Sequence, residues 1–173
     1  MSRPLVFRIL MAAVGIGVAF WAYGLLNAAQ PPRTVGIGQP IRQDDFLYTV
    51  VGISKAKSVG AGETRALAHG TFYVVIVEVA NKALRVDYRW DPSIVYVVDS
   101  AGRKYQFSLE AQHALDAAKP VSNIIGAGAS ARYQVAFDLP ADVDRPALAY
   151  SNGILMGDVF DGGAYMRARV PLE

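Results

Sequence analysis

The segment Thr71–Asn81, TFYVVIVEVAN, decides how the rest of the chain is read. Alternate residues Tyr73, Val75, Val77 and Val79 are apolar, as one face of a strand requires. The opposite set, Phe72, Val74, Ile76, Glu78 and Ala80, begins apolar and turns polar. β-Branched residues at this density suit a pleated surface better than a helix. The spacing therefore predicts a strand deep in a sheet, one face on the core and the other partly covered.

Working outward, the flanking segments read as further strands. Residues 37–41 form a short one that Pro40 restricts to an edge or an end. A second spans Phe46–Lys57, with Gly52 as a bulge or close-approach point. Ser58–His69 reads as a loop, and 81–92 as an extended segment with a charged outer side. Ile94–Asp99 and Arg103–Ser108 flank Ser100-Ala101-Gly102, a hairpin signal. Glu110–Lys119 carries Ala111, Leu115 and Ala118 at helical spacing and is followed by Pro120, which predicts a short surface helix. Ala131–Leu139 alternates and ends at Pro140, and 147–151, 155–160 and 165–170 supply the last strands. Seven or eight short strands and one helical insert indicate an all-β fold, an antiparallel Ig-like sandwich of Greek-key type, with a barrel as the rival architecture.

Ahead of this body, residues 9–29 read ILMAAVGIGVAFWAYGLLNAA, with no charge between Arg8 and Arg33. Such a run at 1.5 Å rise matches the ~30 Å hydrocarbon core of a bilayer. Ile9, Leu10, Val14, Ile16, Val18, Phe20, Trp21, Tyr23, Leu25 and Leu26 would be its membrane-facing residues. Arg3 and Arg8 precede it, so the positive-inside rule keeps Met1 cytoplasmic and exports the chain beyond Gln30. A cleaved signal peptide is the competing reading, but the run is long for one and Asn27-Ala28-Ala29 makes a poor cleavage site. The organisation expected is an anchor at 1–29, a Pro-rich linker at 30–35 and a sandwich at 36–173.

Composition narrows the function. Seventeen basic and fifteen acidic residues leave +2, which Arg3 and Arg8 supply, so the folded part is neutral and lacks the basic face that nucleic acid requires. The absence of cysteine excludes disulfides, a thiol nucleophile and lipid attachment at an N-terminal Cys.

The order of these features resembles the bacterial exported immunoglobulin-like domain of unassigned function found in many lipoproteins and membrane-anchored proteins. The matching pieces are FYVVIVEVAN ending at Asn81, the turn from Val98 through Tyr105, the approach 124–128, and Phe137-Asp138-Leu139-Pro140. The resemblance spans about residues 36–151 and rests on structural motifs. It implies a sandwich outside the cytoplasm of a bacterial cell and brings no catalytic residues. This chain lacks the lipid-modified Cys of many members, so anchoring would fall to the apolar run at the inner membrane, with the domain periplasmic.

Sites for chemistry are sparse. His69 and His113 are the only histidines, and a copper site built from Met156, Met166 and His113 lacks the close spacing such sites use. Residues 157–163 offer Asp158 and Asp161 to calcium but lack the oxygen spacing of a calcium loop; they read as a turn, as do Asp142 and Asp144. The Gly/Ala turn 126–130 has neither the context of a phosphate loop nor that of a nucleophile elbow. No catalytic residue, metal ligand or cofactor is assigned, and the chain reads as non-enzymatic.

Arg85, Tyr88, Arg89 and Trp90 are the side chains most suited to partner binding, because Arg, Tyr and Trp anchor interfaces. Their competing role is structural, with Tyr88 and Trp90 in the core and the arginines solvated. The expected function is a membrane-anchored domain that binds another envelope protein or a membrane complex. A small-ligand or metal-ion carrier is the alternative, and a hydrolase the third reading.

Overall fold

The computed structural model describes residues 8, 11, 12, 14–19, 21, 22, 31–151 and 165–173. The chain forms two compact units, Met1–Pro31 and Pro32–Glu173. In the first, the described residues up to Ala22 are helical, and Val14, Ile16, Val18 and Trp21 are exposed. Ile9, Leu10, Phe20, Tyr23, Leu25 and Leu26 lie outside the described residues. Among the described residues no helix is long and apolar enough to cross a membrane.

The second unit is a two-layer β-sandwich. Its strands in chain order are β1 (Arg33–Thr34), β2 (Pro40–Gln43), β3 (Phe46–Val59), β4 (Ala66–Asn81), β5 (Tyr88–Arg89), β6 (Val95–Val98), β7 (Lys104–Tyr105), β8 (Ile124–Ile125), β9 (Ser130–Leu139), β10 (Ala147–Tyr150) and β11 (Ala168–Pro171). One helix, α1 (Leu109–Ala118), lies between β7 and β8. One sheet has the order β2-β3-β4-β9, the other β1-β11-β10-β6-β7, and β5 pairs with β8 as a separate ribbon. All pairings are antiparallel except β1 with β11.

β4 is the interior strand that its composition requires. Val75, Val77 and Val79 are buried with Tyr48, Val50, Val135 and Phe137 of its own sheet and Val95, Val97, Leu148 and Val170 of the facing one. Its other face explains the change of polarity along the segment. Phe72 and Val74 are buried with Ala136 beneath Ala111 and Ala114 of α1, whereas Ile76 and Glu78 lie beyond that cover. The helix starts on Ser108, whose hydroxyl accepts from the Ala111 N–H at 3.3 Å.

Several expectations need correction. The segment 58–69 is not a loop throughout: β3 and β4 run on as a pair as far as Val59 and Ala66, leaving a short turn with a 3-10 helix at Gly62–Thr64. Val59 and Ala66 extend the ladder because both are buried in the cluster under α1. Beyond Asn81, which ends β4, the residues up to 92 pair as a strand only at Tyr88–Arg89. The first short strand is Pro40–Gln43 rather than 37–41, with Pro40 on the border strand where its missing N–H costs nothing. Gly52 does sit at a bulge, where the β3–β4 register shifts between Val50 and Gly52. Of the last strands, residues 155–160 fall outside the described residues, and the final one is confined to Ala168–Pro171.

Candidate functional site

Three polar side chains anchor the sandwich: Asn81 at the end of β4 where the sequence points to function, Asp99 at the β6–β7 turn, and Asp138 at the opposite end of the β4–β9 ladder. Asn81, fully buried at the end of β4, donates through Nδ2 to the Val86 carbonyl at 2.7 Å and the Ile125 carbonyl at 3.1 Å. Its Oδ1 accepts from the Ala83 N–H at 3.0 Å. One side chain thus holds the segment after β4 against β8.

Asp99 closes the β6–β7 turn. Its carboxylate accepts from the N–H groups of Ala101 and Arg103, from Arg103 Nε at 2.6 Å and from the Tyr105 hydroxyl at 3.1 Å. Asp138 on β9 accepts from the Gly70 N–H at 3.0 Å, and from the His69 N–H at 2.8 Å and ring Nδ1 at 3.0 Å. Both carboxylates are structural, since every close partner is a donor from the chain itself.

Burial pushes the Asp99 carboxyl up, but the Arg103 guanidinium, the Arg103 N–H and Tyr105 hold it below the ordinary carboxylate value. For Asp138, burial is likewise outweighed by the N–H groups of Gly70 and His69 and by the His69 ring. Hydrogen bonds from Ser100 and Arg145 lower Asp144. A folded value below the unfolded one, about 3.9, stabilises the protein above that pH, and the contribution is lost as pH falls through the folded value. Thermal melts taken downward from about pH 6 should therefore fall off below about pH 4. Asp99→Asn should melt lower at pH 6 and show a shallower acid decline; an unchanged decline would remove Asp99 from this role.

The sequence-predicted binding residues are divided by the fold. Trp90 is 5% exposed and its ring stacks on Tyr133, with centroids 5.0 Å apart and planes 11° from parallel. Tyr88 is half-buried, 4.3 Å from the Phe46 ring, and its hydroxyl lies 3.1 Å from that of Tyr48. Burial pushes the Tyr88 hydroxyl pKa up, against the opposing hydrogen bond with Tyr48. Arg85 and Arg89 are exposed. The segment thus turns its aromatic rings inward and its guanidinium groups outward.

The outward side also carries apolar residues, Val86 among them although alternation had set it opposite the charged side. Leu84 is 92% exposed and Val86 62%, and Ile124, which faces Arg89 across the β5–β8 ribbon, is 49% exposed. Asn81 Nδ2 binds both the Val86 and Ile125 carbonyls and so ties the segment after β4 to the ribbon, and Lys82, Arg85 and Arg89 on this stretch are exposed as well.

Beside the ribbon runs a groove of about 830 Å³. Gln112, Leu115 and Asp116 of α1 line it, as do Lys119 and residues 120–123 after the helix. Ile76, Arg132, Tyr133 and Gln134 belong to its floor, and Trp90 lines it as well. Arg132 is held by Glu78 at 2.6 Å. Among the described residues no group of three His, Asp or Glu side chains could hold a metal. His69 is 95% exposed with Asp138 as its partner, and His113 is exposed on α1. Met166 packs against the core, whereas Met156, Asp158 and Asp161 lie outside the described residues. Gln112 and Gln134 escaped the sequence reading because glutamines on a helix and on a strand carry no motif.

Residues 35–159 match the family DUF4352, a domain of unknown function, and the chain belongs to that family. No curated protein matches it. Among solved structures it is similar to a conserved hypothetical protein from Bacillus anthracis, at 18% identity and TM-score 0.56, covering 69% of this chain and 91% of that one. It is also similar to MPT63, a secreted protein from Mycobacterium tuberculosis, at 18% identity and TM-score 0.52, covering 73% and 93%. An uncharacterized β-sandwich protein from Clostridium difficile 630 matches at 13% identity and TM-score 0.52, covering 83% and 96%. These likenesses establish the sandwich fold.

Proposed function

We propose that this protein is a membrane-tethered, extracytoplasmic binding domain that docks on another envelope protein and performs no catalysis. The observation that carries this reading is the exposure of the aliphatic Leu84, Val86 and Ile124 together with Lys82, Arg85 and Arg89, on a segment and a ribbon that Asn81 ties together. Exposed aliphatic residues interspersed with arginines are the composition of a docking site. The apolar run 9–29 behind Arg3 and Arg8 supports the tether and the orientation. A secreted relative in fold is consistent with export.

A photo-crosslinking amino acid at position 84 of the full chain, in its native membrane, tests this. A discrete adduct is expected at 84 and not at exposed Glu63. Arg85→Glu with Arg89→Glu should weaken capture by at least about 30-fold, the loss of roughly 2 kcal/mol at a hot spot, while leaving the melting temperature in place. Equal labelling at 84 and 63, or capture insensitive to the charge reversal, rejects the docking surface. The groove favours a second reading, a carrier of a small ligand. Heat released on titrating the protein with calcium or copper would support its metal-ion form.

A further inference from the structure

We infer that the groove between α1 and β9 accepts an extended peptide segment of a partner protein, which adds as a strand to the open border of β9 at Arg132–Gln134. This rests on the reading of the protein as a binding domain but uses a different surface from the ribbon.

Among the described residues β9 is a border strand of its sheet. The bond from the Asn81 N–H to the Ala129 carbonyl sets the phase of the β4–β9 ladder, so the odd-numbered residues of β9 exchange hydrogen bonds with β4. The even-numbered residues direct their backbone groups to the opposite side. Two of those carbonyls are already engaged: Ala136 accepts from the Ser108 N–H at 2.8 Å, and Gln134 accepts from Gln112 Nε2 at 3.0 Å. The same alternation aims the Gln134 N–H and the Arg132 carbonyl into the groove. A strand border exposing such groups is a template for another strand.

The second observation is Gln112. Its Nε2 is fixed by the Gln134 carbonyl and by Asp116 Oδ1, each at 3.0 Å, so the amide cannot rotate freely. Its Oε1 is buried in the groove wall and has no hydrogen-bond partner among the described residues. A buried acceptor without a donor is costly, and this one belongs to an amide whose Nε2 already reaches the Gln134 carbonyl on the β9 border. Side chains of alternate peptide residues would fall toward Ile76 and Leu115, which gives the occupant an apolar/polar alternation. The groove volume lies within the range of sites that enclose small ligands or short segments.

Random short peptides displayed on phage, selected against the full chain in detergent micelles and then synthesised free, provide the probe. Enriched peptides should alternate apolar and polar residues, bind in solution, and slow exchange of the Gln134 amide. Gln134→Pro removes the outward N–H on a border strand that tolerates proline, and should weaken binding at least roughly tenfold, whereas Gln134→Ala, which removes the side chain alone, should not. Gln112→Leu deletes the acceptor, together with the Nε2 donor on the Gln134 carbonyl, and should weaken binding too; it decides the matter should the proline variant fail to fold. Failure to enrich any peptide, undiminished binding to both Gln134→Pro and Gln112→Leu, or peptides that protect amides elsewhere would overturn the inference. Self-association of the chain through β9, seen as a dimer in sedimentation that excludes the peptide, would overturn it as well. None of these results bears on crosslinking at position 84, so the two surfaces succeed or fail separately.

Discussion

Replacing Trp90 with alanine should lower the unfolding free energy by about 3–5 kcal/mol, the loss seen when a buried aromatic side chain is emptied. The ring is 5% exposed and lies flat on Tyr133 of β9. It also lies 6.5 Å from Tyr48 of β3, which in turn is 5.5 Å from Tyr150 of β10. These contacts join the segment after β4 to both sheets, so no single element can move in to fill the space. Rigid walls keep most of the cavity open and place the cost toward the upper part of that range. Urea denaturation with unchanged slope measures it. An unchanged midpoint would mean that the indole does not serve the core, and partner binding would again become its main role.

Gly70→Ala should cost about 3 kcal/mol, the upper end of what overpacking inflicts. A Cβ at Gly70 would stand 2.0 Å from the Leu139 carbonyl oxygen and 2.8 Å from its carbon, both backbone atoms that cannot swing aside. The close approach is held from both sides. The Gly70 N–H donates to Asp138, and Lys57 Nζ reaches the Gly70 carbonyl at 2.7 Å and Thr71 Oγ1 at 2.9 Å. Relieving the clash would therefore part β4 from β9 at the end where Thr71 pairs with Leu139. Gly126→Ala is the control: its Cβ would meet only Asp87 Oδ1 at 3.8 Å, an ordinary contact, and the change should stay within about 0.5 kcal/mol. Equal melting of the two variants would show that the β4–β9 contact yields more easily than its hydrogen bonds imply.

Much of the scaffold was legible because period and punctuation are local. Alternation marked β4 and β9, Gly52 marked the bulge, and Pro120 with the apolar spacing of 111–118 marked α1. Asp99 and Gly102 marked the β6–β7 turn, where Gly102 adopts φ +80°. The candidate site was legible only in part. Alternation along 81–92 suggested Val86, Tyr88 and Trp90 on one side, yet Val86 is exposed and Trp90 buried. Asn81 decides this by binding the Val86 carbonyl and bending the segment, a contact between backbone and side chain that residue type does not encode.

By itself, the sequence determined the all-β class, the interior strand and the neutral, cysteine-free character of the body, because hydrophobic period and charge are properties of residues in order. The tertiary structure decided which aromatic rings turn inward, that α1 covers only half of the outer face of β4, and that Gln112 stands beside the border of β9. Those features depend on residues far apart in the chain meeting across two sheets, and such meetings are fixed by packing and hydrogen bonding rather than by local spacing.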